Sequence, residues 1–264
     1  MTRSKLPATR DHLADNRRLI IGRSLAAAIA GGIPVPVLEE WLEAKIQRGT
    51  IRRIAQSRVI DVDKEAVVAI AGGRSRGADW AEVAGSGLAM RLFGKSIRRL
   101  LVAVVAARRA RAAAKNYAVA SLFDHYCAKL HVGLGLDAQA GAEVRKLIDQ
   151  AIAETRGSLG VRPFRRGISG AMRAGLRAPT RVVDLVTGGR ASRLLRRAPR
   201  RDEVEVVRAI DTSIERARND RSGILARMTA AVELELSAEQ NPYLERLIAR
   251  FERLWRAQVE PAAP

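Results

Sequence analysis

Residues 24–67 read SLAAAIAGGIPVPVLEEWLEAKIQRGTIRRIAQSRVIDVDKEAV. The first seven are rich in alanine, the residue with the highest helix propensity. Gly31 and Gly32 then end that helix at little steric cost. Pro34 and Pro36 each push the preceding residue away from helical backbone, so the chain turns through Ile33, Pro34, Val35 and Pro36. Beyond the turn, Val37, Trp41, Ile46, Ile51 and Ile54 recur at intervals that face them roughly inward along a second helix. Two antiparallel helices joined by a Pro-x-Pro turn are the expectation.

The same period runs through the rest of the chain. Tyr117, Val119, Leu122, Phe123, Tyr126, Cys127 and Leu130 continue a long helix that begins near Ser96. Asp137 is placed to cap another helix, with Val144, Leu147, Ile148, Ala151 and Ile152 on its buried stripe. Near the C-terminus, NPYLERLIARFERLWRAQ aligns Leu244, Leu247, Ile248, Phe251, Leu254 and Trp255, behind Asn241 as N-cap and Pro242 at the first helical position. The best strand candidate, SRVIDV at residues 57–62, reads equally well as a short extended connection. The fold class is therefore all-α: a multi-helix bundle with a Pro-x-Pro helical hairpin near the N-terminus and one long central helix. At 264 residues the chain can bury a sizeable core, but 45 alanines against ten aromatic residues mean a core made by close helix packing.

Charge divides the chain more sharply than hydropathy. The net charge is +19, which favours polyanionic partners, either nucleic acid or an anionic membrane. Residues 1–158 form a helical core with the hairpin and the long helix, residues 159–201 a basic amphipathic segment, and residues 202–264 an acidic-to-neutral C-terminal helical bundle. The middle segment holds twelve Lys/Arg against a single Asp. Its arginines Arg162, Arg165, Arg166, Arg173, Arg177, Arg196, Arg197, Arg200 and Arg201 are the candidate polyanion-binding residues. Apolar residues such as Ile168 and Met172 interleave with them, so the segment can lie on anionic lipid or track a phosphate backbone. It can also pack on the acidic C-terminal helices and be neutralised there.

Signs of enzyme chemistry are weak. AMRLFGKS, residues 89–96, has the outline of a phosphate-binding loop, with Gly94, Lys95 and Ser96 after four intervening residues. Those four, Met90, Arg91, Leu92 and Phe93, are too bulky to let backbone N–H groups wrap a phosphate, and WAEVAGSGL before them is no β-strand. No nucleotide site is expected; instead Met90, Leu92 and Phe93 pack, and Arg91, Lys95, Arg98 and Arg99 form a basic rim. Asp124, Cys127 and His131 fall at helical spacings of three and four and could converge on a metal, but Cys127 belongs to the apolar stripe and no second ligand pair follows. The expectation is no catalytic residue, no metal and no cofactor. With one cysteine there is no internal disulfide framework, and an intracellular setting is the simplest inference. RRLIIGRSLAAAIAGG imitates a secretory signal, but Arg23 interrupts its apolar run. The longest uncharged run, residues 24–38, is 15 long and carries two glycines and two prolines, too short and broken to span a bilayer.

Residues 20–65 resemble the uncharacterised Ile-Pro-x-Pro helical-hairpin domain associated with dynamin-like and Era-like GTPases. The matching residues are the alanine-rich run 26–30, then Ile33, Pro34 and Pro36, then Ile51, Arg52 and Ile54, then the acidic connection 61–65. The resemblance implies a membrane-associating hairpin, with Ile33, Pro34, Val35, Pro36 and Val37 as the membrane contact, and a GTPase as a separate partner unit. This chain has Glu39, Glu40, Ala44 and Lys45 where the family tends to an aspartate and a glutamine. Together these readings lead to a non-enzymatic, peripheral, anionic-lipid-binding helical protein at the cytoplasmic face of a membrane. The alternatives are a non-specific nucleic-acid-binding protein and a soluble structural or interaction protein.

Overall fold

Residues 116–126 are buried without interruption, and at 3.6 residues per turn a run of eleven covers every side of a helix. They belong to a 35-residue helix, Lys95–Lys129, on which five of the other helices pack. The computed structural model describes residues 8–30, 36–73, 95–155, 160–173, 203–220, 223–237 and 242–259. In chain order, a 3-10 turn (Ala8–Leu13) leads into α1 (Ala14–Ala30), α2 (Pro36–Ser57), β1 (Asp61–Val62), α3 (Lys64–Ile70), α4 (Lys95–Lys129) and β2 (Gly135–Leu136). There follow α5 (Ala138–Glu154), α6 (Val161–Arg173), α7 (Glu203–Asn219), α8 (Ile224–Leu236) and α9 (Tyr243–Val259). The fold is the all-α bundle that the apolar period implies, and the long helix starts one residue before the expected Ser96.

Helices α1, α2, α5, α6 and α9 all pack on α4, while α8 bridges α1 and α6, and α7 lies against α8, α1 and α2. Described residues from all three charge-defined segments contribute to one continuous apolar core. The hairpin helices run antiparallel: Asn16 near the start of α1 meets Ser57 at the end of α2, and Arg23, two turns on, meets Thr50. Pro36 opens α2, where its missing N–H deprives no intrahelical bond. Ile33, Pro34 and Val35 lie outside the described residues. Asp137 caps α5 as expected, its carboxylate accepting from the Ala140 N–H at 2.8 Å. Leu244, Leu247, Ile248 and Phe251 are the buried face of α9, with Leu254 and Trp255 half-buried at its edge.

SRVIDV supplies a two-residue strand, since β1 pairs in parallel with β2 and Asp61 stands opposite Gly135. This pair lies where α2 and α4 both end. The last turn of α2 closes in the Schellman manner: the Ile60 N–H donates to the Ala55 carbonyl at 3.0 Å, and Val59 takes φ +58°. Glycine usually fills that left-handed position, and a β-branched side chain there costs roughly 1–2 kcal/mol. Glycine would return part of this through the greater freedom of the unfolded chain. Val59→Gly is therefore expected to stabilise the protein by about 1 kcal/mol, read as a higher denaturant midpoint with unchanged slope; a lower midpoint would show that the Val59 side chain contributes packing here.

Candidate functional site

Arg108, Arg111 and Lys115 follow one another at spacings of three and four, which puts them on one face of α4. All three are exposed, whereas Ala106, Ala110, Ala113 and Ala114 turn inward and let the neighbouring helices approach closely. The level of this stripe along the bundle follows from the contacts of the hairpin. Asn16 of α1 reaches Asp124, Ser24 shares a small cavity with Asn116 and Ala120, and Glu43 of α2 accepts from Asn116 at 3.0 Å. Helices rise about 1.5 Å per residue, so Ala30 and Pro36, which flank the turn, reach the level of Arg108 and Arg111. The turn end of the hairpin and the basic stripe thus occupy the same end of the bundle.

The basic segment joins the core through α6. Phe164 and Ile168, one turn apart, are buried, and the Phe164 ring lies 5.5 Å from that of Tyr117 on α4. Phe164 and Ile168 of this apolar stripe are therefore covered by protein. On its other side Arg162, Arg165 and Arg166 are exposed, and Arg166 donates to Glu235 of α8 at 2.9 Å. Arg173 closes α6, its side chain outside the described residues, as are the side chain of Val37 and the whole of Arg177, Arg196, Arg197, Arg200 and Arg201. The phosphate-loop resemblance, with Met90, Arg91, Leu92, Phe93 and Gly94, also lies outside them; Lys95 and Ser96 open α4.

The interior is more polar than the sequence suggests. Arg23 has no solvent exposure: its Nε donates to Thr50 Oγ1 at 3.0 Å, its Nη1 to Glu215 Oε1 at 3.1 Å, and its Nη2 to Asp211. Both carboxylates come from α7, and Arg53 stands within 4 Å of each. The guanidinium passes directly over Gly49, where any Cβ would collide with Nη2. A cavity of about 20 Å³ beside it, lined by Arg23, Ser24, Gln47, Thr50 and Asn116 on its polar side, has room for one water. Sites for small organic ligands are at least ten times larger, on the order of 300 Å³, so this is no substrate pocket.

A second polar seam lies toward the C-terminal end of α4. Asp124, fully buried, accepts from Arg58 Nε at 2.8 Å and from Asn16 Nδ2 at 2.8 Å. The same guanidinium donates through Nη2 to the His12 carbonyl, which fixes the 3-10 turn. His12 Nε2 and His125 Nδ1 share one hydrogen bond of 2.9 Å. Glu252 Oε1 of α9 stands 3.1 Å from His125 Nε2, off the line of a good hydrogen bond. That carboxylate favours the tautomer with a proton on Nε2, leaving Nδ1 to accept from His12. Asp124, Cys127 and His131 do not converge on a metal. Asp124 is committed to Arg58, burial holds the Cys127 thiol well above its ordinary range, and His131 Nδ1 pairs with the Tyr126 hydroxyl at 3.1 Å. Among the described residues no group of three His, Cys, Asp or Glu side chains is arranged to hold a metal ion.

No family model, no curated protein and no solved structure matches the chain. Among the described residues no helix is long and apolar enough to cross a membrane. The stripe Arg108, Arg111, Lys115 had a signal in the sequence, the cation spacing of RRARAAAK, but charged residues at such intervals mark any solvated helix face.

Two predictions follow from the polar interior. Gly49→Ala should stabilise a helix by about 1 kcal/mol on propensity alone; here it should destabilise, because its Cβ displaces the Arg23 guanidinium from Asp211, and a raised thermal midpoint would refute that packing. The histidine pair sets the second. Burial, then the neighbouring His12, lowers the His125 pKa to about 4, and burial lowers that of His12 as well. Between the unfolded value near 6.5 and the folded value the unfolded chain holds more protons, so stability falls as pH drops through this window. For His125 the loss is on the order of 3 kcal/mol. Denaturation midpoints from pH 7 to 4.5 should decline in the natural protein and decline less in His125→Gln; equal slopes would remove the pair as the cause.

Proposed function

We propose that this chain is a non-enzymatic helical protein that attaches peripherally to an anionic membrane surface through the basic end of its bundle, as an accessory to a GTPase with its own phosphate loop. The observation that carries this reading is the exposed stripe Arg108, Arg111 and Lys115 at the same end of the bundle as the turn of the hairpin. The exposed Arg162 and Arg165 of α6 add to it. Each cation held near an anionic surface contributes about 1 kcal/mol, so five of them give reversible attachment without a spanning helix. With Phe164 and Ile168 in the core, apolar contact falls to Ile33, Pro34, Val35, Pro36 and Val37. Arg173, Arg177, Arg196, Arg197, Arg200 and Arg201 extend the cationic supply, and the inner, anionic leaflet is the surface that suits it. The GTPase partner rests on the resemblance of residues 20–65.

The nucleic-acid alternative is weakened by the position of Phe164. It is the one aromatic residue of the basic segment, and it lies beneath Tyr117, where no base can stack on it. Co-sedimentation with phosphatidylserine-containing and with neutral vesicles tests the proposal. Binding should require the anionic lipid, weaken with salt, and fall about tenfold or more in the triple variant Arg108→Glu, Arg111→Glu, Lys115→Glu. Ile33→Asp should remove the fraction that resists salt. Equal binding to neutral vesicles, an unaffected triple variant, or complete displacement by duplex DNA would overturn it.

A further inference from the structure

The opposite end of the bundle has a different chemistry. Val59 is 81% exposed, Val132 93% and Leu134 81%, and these side chains sit on two short loops tied together by the β1–β2 pair. The Asp61 N–H donates to the Leu134 carbonyl at 2.8 Å, which holds the loop after α4 beside the turn after α2. Val59 keeps a left-handed conformation that glycine would adopt without strain, so an apolar side chain is displayed here against the preference of its own backbone. Around the three lie exposed carboxylates: Asp61, Asp63, Glu65 and Asp137, with Asp15 beside Arg58. Exposed Lys64 and Lys129 offset only part of them, and Arg58 is taken by Asp124. In a chain of net charge +19 this is an acidic locality with an apolar centre.

The backbone offers a way in. In a parallel pair alternate residues turn their N–H and C=O away from the partner strand. Asp61 bonds to the residues on either side of Gly135, so Gly135 presents both groups outward. The residue is exposed, and a Cβ built on it would touch nothing nearer than the Asp61 carbonyl at 4.0 Å. We propose that this edge is a docking surface for an extended peptide of a partner protein in which apolar and basic side chains alternate. Its backbone would pair along Gly135, its apolar side chains would cover Val59, Val132 and Leu134, and its cations would meet Asp61, Asp63 and Asp137. An anionic bilayer does not fit, because these carboxylates repel it.

Fluorescence anisotropy with the full chain and two labelled eight-residue peptides, one alternating valine with arginine and one alternating valine with glutamate, tests this. The overall charge of the protein opposes the arginine peptide and attracts the glutamate peptide, so binding of the first reports the tip. Leu134→Ser, a change at an exposed position that alters no charge, should weaken the arginine peptide by about tenfold and leave the glutamate peptide unchanged. N-methylation of alternate backbone amides in the arginine peptide should weaken it similarly, through loss of edge pairing. No binding of the arginine peptide, or binding that survives Leu134→Ser, would overturn the proposal. So would sedimentation showing that Leu134→Ser splits a dimer, since a second copy would then be the occupant.

Discussion

A carboxylate without solvent exposure, in a helix covered on all sides, has to be answered by a donor set that cancels its charge, or the helix cannot be buried there. Asp124 is that carboxylate, and Arg58 and Asn16 are the answer. Removing one partner of such a pair typically costs roughly 3–5 kcal/mol. The answer also distributes order: Arg58 terminates α2, holds the His12 carbonyl and so seats the 3-10 turn, while Asn16 brings in Ser57. Asn16 and Arg23 lie seven residues apart on α1, two turns along the same face. Alanine-rich faces such as 26–28 and 112–114 are nearly uniform and would slide past one another with little penalty. Two polar keys at different levels give α1, α2 and α4 one register, the best-attested use of buried polar groups.

The same economy explains where the positive charge is left. Carboxylates of the C-terminal helices pair with cations of earlier elements: Asp211 and Glu215 with buried Arg23 and with Arg53, and on the surface Glu233 with Arg18 and Glu235 with Arg166. The C-terminal segment thus offsets three arginines of the hairpin and one of α6. The solvent face of α4 from Arg108 to Lys115 carries no carboxylate of its own between them. Among the described residues the buried charges Arg23 and Asp124 are compensated, and the α4 stripe holds cations alone.

How much of this the sequence disclosed depended on whether a feature is local. The all-α class, the Asp137 cap and the buried face of α9 are written in a few adjacent residues, and each was legible. The α6 stripe was visible as amphipathic, but a period reports that a face is apolar and not what covers it, and Phe164 finds Tyr117 rather than lipid. Asp124, Cys127 and His131 looked like neighbours because helical spacing aligns them. The residue that claims Asp124 stands 66 positions away in the chain, beyond any local pattern. Arg23 was read as an interruption of an apolar run, and it is instead the most enclosed cation of the hairpin, admitted because Gly49 has no side chain. Val59 and Leu134 gave no signal at all, since apolar residues beside a strand are ordinarily buried.

Among the described residues, the cationic stripe of α4 and the carboxylate-rich tip lie toward opposite ends of that helix. From Arg108 to Leu134 the helix and its loop separate the basic stripe from the acidic tip by about 30 Å, three Debye lengths or more at physiological salt. Repulsion between the tip and an anionic surface at the far end is therefore screened, while both ends act on whatever is within contact range. The macrodipole of α4 has the same sense, its positive N-terminus toward the basic end, though its half-charge is small beside three full cations. In the attachment proposed above, the bundle held by its basic end would carry the apolar tip outward, away from lipid head groups, the orientation in which acidic side chains around Val59 and Leu134 serve recognition instead of opposing attachment.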